Sequence, residues 1–224
     1  MNEFNESQLA ERQCCETILT IAKHEIDSIQ QEREFPSNGV YIQDVNYKLW
    51  EIKDWDGSAV PNAIAVIEND DKFLIALTQP QKMSLNDVST VDFWHDIEIE
   101  NNKITNMYAR YDGARKTANI LKAQPSTEYA AGYCNAFIFP DGKTRGYLPT
   151  GDQLRLAYQN KVDITAALQK CGGAKMESEY YWSSSSGHFY EGYSRGEMFR
   201  WIGGYGNGCL INSKRCVRPF ADFQ

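Results

Sequence analysis

From Gly146 to Phe220 the chain reads GYLPTGDQL, then CGG, then YYWSSSS, then a glycine-rich tract, then VRPF, and everything before it reads as support. Tyr180, Tyr181 and Trp182 run into four serines. From Gly187 to Tyr205, glycines are interleaved with His188, Phe189, Tyr190, Tyr193, Phe199, Trp201 and Tyr205. Glycine weakens a strand interior and marks bulges, bends and close approaches, so this tract excludes a long uninterrupted strand. Glycine and serine supply permissive backbone and small polar groups, while tyrosine and tryptophan supply large, rigid contact area with a polar tip; together they have the composition of a binding surface. The plainer alternative is a set of short antiparallel strands turning at Gly187, Gly192, Gly196, Gly203, Gly204, Gly206 and Gly208, with the aromatics forming core.

An ordered set of motifs surrounds the tract. Leu148-Pro149-Thr150 is followed by an amphipathic helix, Gly172-Gly173, the YWSSS run from Tyr181 to Ser185, and Val217-Arg218-Pro219. Gly113, Thr117, Asn119, Ile120, Ala130-Ala131 and Cys134 extend the set backwards as a small-residue helix leading into the LPT turn. In this order the motifs resemble the bacterial and phage family of C-type-lectin-like domains, which includes variable proteins of diversity-generating retroelements and phage receptor-binding proteins. The likeness covers about residues 107–222, and its specificity comes from the order of five motifs rather than from any one of them.

The resemblance implies an α+β, C-type-lectin-like fold, with its termini meeting in a small sheet and irregular loops on one side forming the ligand surface. The function it implies is non-enzymatic ligand or receptor binding, with a protein or glycan receptor on a cell surface as the partner. An invariant structural or assembly protein of a phage or cell-associated particle is the alternative. The resemblance also implies that Trp182, Val217 and Pro219 are buried and that Arg218 is fixed by backbone carbonyls or a carboxylate. In diversified members template adenines are randomised. An AAC or AAT codon then yields Tyr, Phe, His, Ser, Gly, Arg, Cys, Leu, Ile and several others, but never Trp, Met, Glu, Gln or Lys. The permitted residues here are His188, Phe189, Tyr190, Tyr193, Arg195, Tyr205, Asn207, Cys209, Ile211, Asn212 and Ser213, and they form the expected ligand-binding set. Glu191, Glu197, Met198, Trp201 and Lys214 fall outside the code and belong to the fixed scaffold, with Met198 and Trp201 pointing inward.

Three regions are expected: an N-terminal amphipathic helix over 1–34, a β-rich accessory region over 35–106 that begins with a small β-meander, and the ligand-binding domain over 107–224. The helix, Glu6 to Arg33, lacks Gly and Pro and places Cys15, Ile18, Leu19, Ala22, Ile26 and Ile29 on one face. Such a stripe lies on its own domain or pairs with copies of itself in a homo-oligomer. VYIQDV, YKLWEI, AIAVIEN and KFLIALT read as strands of the meander, and Pro80 to Lys103 as an irregular loop. Helices are expected over Ala114–Leu121, Gln153–Tyr158 and Ile164–Lys170, with Asp163 as a cap and Gly172 as a stop. Between the first two, Asn135 to Phe139 reads as a buried strand.

A net charge of −7 and a sequence pI near 5.1, with no basic stripe, oppose a nucleic-acid partner. No basic region followed by an apolar run opens the chain, and no run approaches the length of a membrane span. The expectation is a product made without a signal peptide that stays in the cytoplasm or enters a virion assembled there, with no membrane insertion. Six cysteines at positions 14, 15, 134, 171, 209 and 216 form no CxxC pair, so buried free thiols are expected, with a Cys209–Cys216 bridge as the alternative. No metal site, cofactor or catalytic residue is expected. His24, His95 and His188 lie far apart in sequence, Cys209 has no nearby base, GGYGNG lacks the lysine of a phosphate loop, and the Ser183–Ser186 run has no GxSxG frame and reads as a turn whose hydroxyls bond backbone groups.

Overall fold

The structure is a computed structural model that describes residues 36–86, 99–100, 103–104, 112–123, 125–186 and 195–223. The expected N-terminal helix, with the oligomer assigned to it, lies outside the described residues. The strands are β1 (Gly39–Asp44), β2 (Leu49–Glu51), β3 (Pro61–Glu68), β4 (Asp71–Ala76), β5 (Gln81–Met83), β6 (Ile99–Glu100), β7 (Lys103–Ile104), β8 (Tyr180–Ser186), β9 (Arg195–Arg200), β10 (Tyr205–Leu210), β11 (Arg215–Val217) and β12 (Phe220–Asp222). The helices are α1 (Gly113–Ala123), α2 (Ala130–Ala136), α3 (Gly151–Gln159) and α4 (Lys161–Lys170). This is a mixed α and β architecture with two five-stranded sheets, compatible with the expected α+β class.

The first sheet has the order β12-β4-β3-β1-β2, all antiparallel. Its central strand, PNAIAVIE, is buried from Asn62 to Ile67, as expected of a strand covered on both faces. Large and small residues alternate along it, and the register carries that alternation across the sheet. Ile42, Ile64, Ile75 and Phe220 form one row on the face packed with Leu154, Leu156, Ala157, Ile164, Ala167 and Leu168 of α3 and α4. Ala63, Ala65, Leu74, Ala76 and Ala221 make the other face, closed by Phe139. Each fully buried large apolar side chain of this kind contributes about 1.5–3 kcal/mol. The β3–β4 hairpin turns at Asn69, whose φ of 56° places it in the left-handed region, and the Asn38 carboxamide accepts from the Asn69 N–H at 2.8 Å.

The second sheet has the order β10-β9-β8-β11-β5, with β8 and β11 parallel and the other pairs antiparallel. Both sheets combine strands from either side of residue 106. β12 extends the meander, while β5, inside the stretch expected to be an irregular loop, pairs with β11. Strands from the two expected regions thus share each sheet, and residues 38–224 cluster as one compact unit.

The LPT segment works as a helix start. Thr150 caps α3 by accepting from the Gln153 N–H at 3.1 Å, and the Gln153 carboxamide accepts from the Thr150 N–H at 2.9 Å, a complete capping box. Gln153 also donates to the Tyr147 hydroxyl at 2.7 Å, which ties the cap to the first sheet. Gly172, at φ 75°, ends α4 as expected. Three local expectations are corrected. Asn135 and Ala136 close α2, and Ile138 makes only a single bridge to Arg145. The α4 N-cap is Asn160, and Asp163 lies inside the first turn. Ser183 to Ser186 belong to β8 rather than to a turn.

Candidate functional site

The exposed part of the second sheet is built around β10, whose sequence YGNGCL alternates by construction. Successive side chains of a strand point to opposite faces, so Tyr205, Asn207 and Cys209 share one face and Gly206 and Gly208 occupy the other. A Cβ on Gly206 would come within 3.0 Å of the Glu197 carboxylate. Tyr205 is 43% exposed, Asn207 is exposed and Cys209 is half-buried. Met198, the cross-strand partner of Asn207 on this face, and Trp201 are both buried, as expected of the scaffold set.

The strand pairing sets Tyr205 opposite Arg200 and Arg200 opposite Tyr180, and the parallel partner of β8 brings Arg215 alongside. The outcome is a row Tyr205, Arg200, Tyr180, Arg215 running across four neighbouring strands, aromatic and guanidinium in alternation. The Arg200 guanidinium lies 5.5 Å from the Tyr180 ring centre and 5.6 Å from that of Tyr205, and Arg215 lies 5.8 Å from Tyr180. These are cation–π distances. Hydrogen bonds from the Tyr180 hydroxyl and from Arg200 lower the Tyr205 phenol below the usual tyrosine range, and the Tyr180 phenol, as donor to Tyr205, is raised. Neither arginine meets a carboxylate among the described residues; Glu179, beside Tyr180 in sequence, is held by Lys82 at 3.4 Å.

The opposite face is scaffold. The Glu197 carboxylate accepts from the Ser183 hydroxyl at 3.3 Å and packs against Gly151, the first residue of α3, where a Cβ would sit 2.4 Å from it. Burial raises the Glu197 pKa, while hydrogen bonds from Ser185 and Ser183 work the other way. Trp182, on the same face as Tyr180 and Met198, is fully buried and donates its indole N–H to the Met83 carbonyl at 3.0 Å. Arg218, 1% exposed, donates from a single nitrogen, Nη2, to the carbonyls of Thr78 (2.6 Å), Ala174 (2.8 Å) and Lys175 (3.1 Å). Burial lowers its pKa to about 10, so it stays charged at neutral pH. Val217 and Pro219 are buried beside it, so the expectation for the VRP frame holds.

Of the eleven expected ligand-binding residues, His188, Phe189, Tyr190 and Tyr193 lie outside the described residues, as does the side chain of Arg195. Tyr205, Asn207 and Cys209 are brought together on one face, and Asn212 and Ser213 follow in the next turn, exposed and half-buried. Ile211 is a correction. It is fully buried with Leu85, Trp182 and Val217, and its carbonyl accepts from the N–H groups of Leu85 and Asn86. It packs as an apolar residue next to a core normally does. Tyr180, Arg200 and Arg215, central to the row, were not expected, because their common row is set by cross-strand register between segments far apart in sequence.

Cys134, Cys171, Cys209 and Cys216 are free thiols. Cys216 packs with Tyr181 on the scaffold side, whereas Cys209 accepts from Arg215 at 3.2 Å on the exposed side, so the two do not bridge. Burial raises the Cys216 thiol to about 12. Among the described residues no three His, Cys, Asp or Glu side chains converge to hold a metal ion, and no helix is long and apolar enough to cross a membrane. Comparison with protein-family models, with curated proteins and with solved structures returned no match.

Proposed function

We propose that this chain is a non-enzymatic receptor-binding protein, with a C-type-lectin-like fold that displays the exposed face of β10 and the tract around it to a partner on a cell surface. One observation carries the reading: in β10 Tyr205 and Asn207 stand exposed on one face with Cys209 half-buried beside them, while Gly206 and Gly208 lie on the other. Tyr205 and Asn207 are exposed and so exchangeable at little packing cost, while Met198 and Trp182, buried on the same face, hold the neighbouring strands in place. A rigid scaffold carrying aromatic anchors and small polar groups gains specificity without folding cost at each change. The lectin-like assignment is supported by the Arg218 frame and by β12 joining the sheet that holds β1. The burial of Ile211, a position in the permitted set, favours a second reading, an assembly protein whose sheet packs against fixed neighbours.

The test is binding of labelled protein to a panel of intact cells, with the variant Tyr205→Ala/Asn207→Ala/Ser213→Ala beside the wild type. Display requires that the variant melt at the wild-type temperature and lose most of its binding. Equal binding by the two proteins, with equal melting, would transfer the chain to the assembly reading.

A further inference from the structure

We propose that the Tyr205–Arg200–Tyr180–Arg215 row is a site for an acidic sugar chain, bearing carboxylate or sulfate groups, that lies across the strands. The proposal rests on the display reading and names the partner class for that face.

Local charge is the first observation. The chain carries −7 overall, yet this row holds two guanidinium groups with no carboxylate partner among the described residues. Their faces are occupied by tyrosine rings, which hold the planar forks in place before any ligand arrives. A guanidinium presents paired N–H donors that match an oxyanion, and charge-assisted hydrogen bonds of this kind are the strong ones. Strands lie about 4.8 Å apart, so two arginines separated by one strand stand about 10 Å apart and the whole row spans about 14 Å. That is a repeat suited to a polymer with regularly spaced negative charges. Tyrosines between the arginines offer ring surface to the apolar faces of sugars and hydroxyls to their polar edges.

The second observation decides between a sugar chain and an extended peptide. A peptide would add to the open edge of β10, using its outward N–H and C=O groups. That edge is blunted from within: the Asn207 side chain accepts from the Gly208 N–H at 2.8 Å, and the Leu210 carbonyl accepts from the Ser213 N–H at 3.0 Å. With the Gly208 N–H and the Leu210 C=O engaged, a continuous added strand along β10 is interrupted, and the face offers side chains rather than main chain for recognition.

The experiment is retention of the full chain on immobilised heparin (sulfate and carboxylate), hyaluronate (carboxylate alone) and dextran (uncharged), with soluble poly-glutamate as competitor. The wild type is expected to be retained by at least one acidic polysaccharide and not by dextran, to elute with added salt, and to resist poly-glutamate at equal charge concentration. Heparin without hyaluronate assigns sulfate as the recognised group, and retention by both assigns the carboxylate. Arg200→Gln and Arg215→Gln should each weaken retention by about tenfold or more, whereas Lys170→Gln, which removes the same charge from the far end of α4, should leave it unchanged. Wild-type protein that passes through both acidic columns, equal loss on Lys170→Gln and Arg200→Gln, or displacement by poly-glutamate would each overturn the proposal. Absence of retention together with cell binding that depends on Tyr205 and Asn207 would overturn this ligand class and leave the display reading standing.

Discussion

Arg218 is the residue on which the C-terminal frame closes. Three carbonyls from two separate segments converge on one of its nitrogens, while Nε and Nη1 are buried without partners. Truncation to Ala leaves three buried acceptors unpaired, an expected loss of about 3 kcal/mol or more. For a domain of this size that lowers the melting temperature by roughly 6–12 °C, measurable by calorimetry. Arg218→Lys should cost less than half as much, because an ammonium brings three donors to one point and removes the two orphaned groups. Glu197 makes a different prediction, through pH. Its folded pKa is raised, mainly by burial, so the stability it contributes is present below the ordinary glutamate range and is lost as pH rises through the folded value. Glu197→Gln abolishes that loss. Its melting temperature relative to wild type should therefore be higher at pH 7 than at pH 4, and a difference constant across that range would show that the carboxyl is not desolvated.

At the scale of elements, two glycines with nearly the same backbone separate conformation from space. Gly142 (φ 72°) has nothing within 4 Å of a built Cβ, whereas Gly204 (φ 71°) would place one 2.2 Å from the Tyr158 ring. Gly142→Ala should cost about 1–2 kcal/mol, the left-handed penalty alone. Gly204→Ala adds overpacking of about 1–3 kcal/mol, and denaturant unfolding of the pair measures the difference. The same contrast shows what was legible in the sequence. β3 and β4 announce themselves as apolar runs bounded by turn residues, and Gly172 announces the end of α4, because each signal is local. β5 carries no such signal in Gln-Lys-Met; it is a strand because β11 arrives beside it. Asn135 to Phe139 is apolar enough for a strand, yet Ala130 to Ala136 has the small residues that let a helix pack closely. On the candidate face, the Tyr205, Asn207 and Cys209 alternation was readable from β10 alone. The burial of Ile211 and the arginines of the row depend on neighbours that no local pattern names.

At the scale of the molecule, the first sheet is completed by its most distant piece. β12 lies against the outer edge of β4, where Phe220 stacks on Phe73 with ring centres 5.2 Å apart, and the Tyr147 backbone brackets Phe220 with bonds of 2.7 and 3.0 Å. Everything from Leu77 to Pro219 stands between these partners in sequence. During synthesis, β1, β3 and β4 can therefore pair as soon as they are made, while the apolar edge of β4 stays open until Phe220 to Asp222 have been added. At ~5–20 residues per second this interval is on the order of ten seconds. For that time a growing chain offers neighbouring chains on the same message an unpaired strand of the sequence DKFLIA, a template for the wrong partner. The arrangement that seals the finished protein thus leaves β4 without its edge partner until the last strand is delivered.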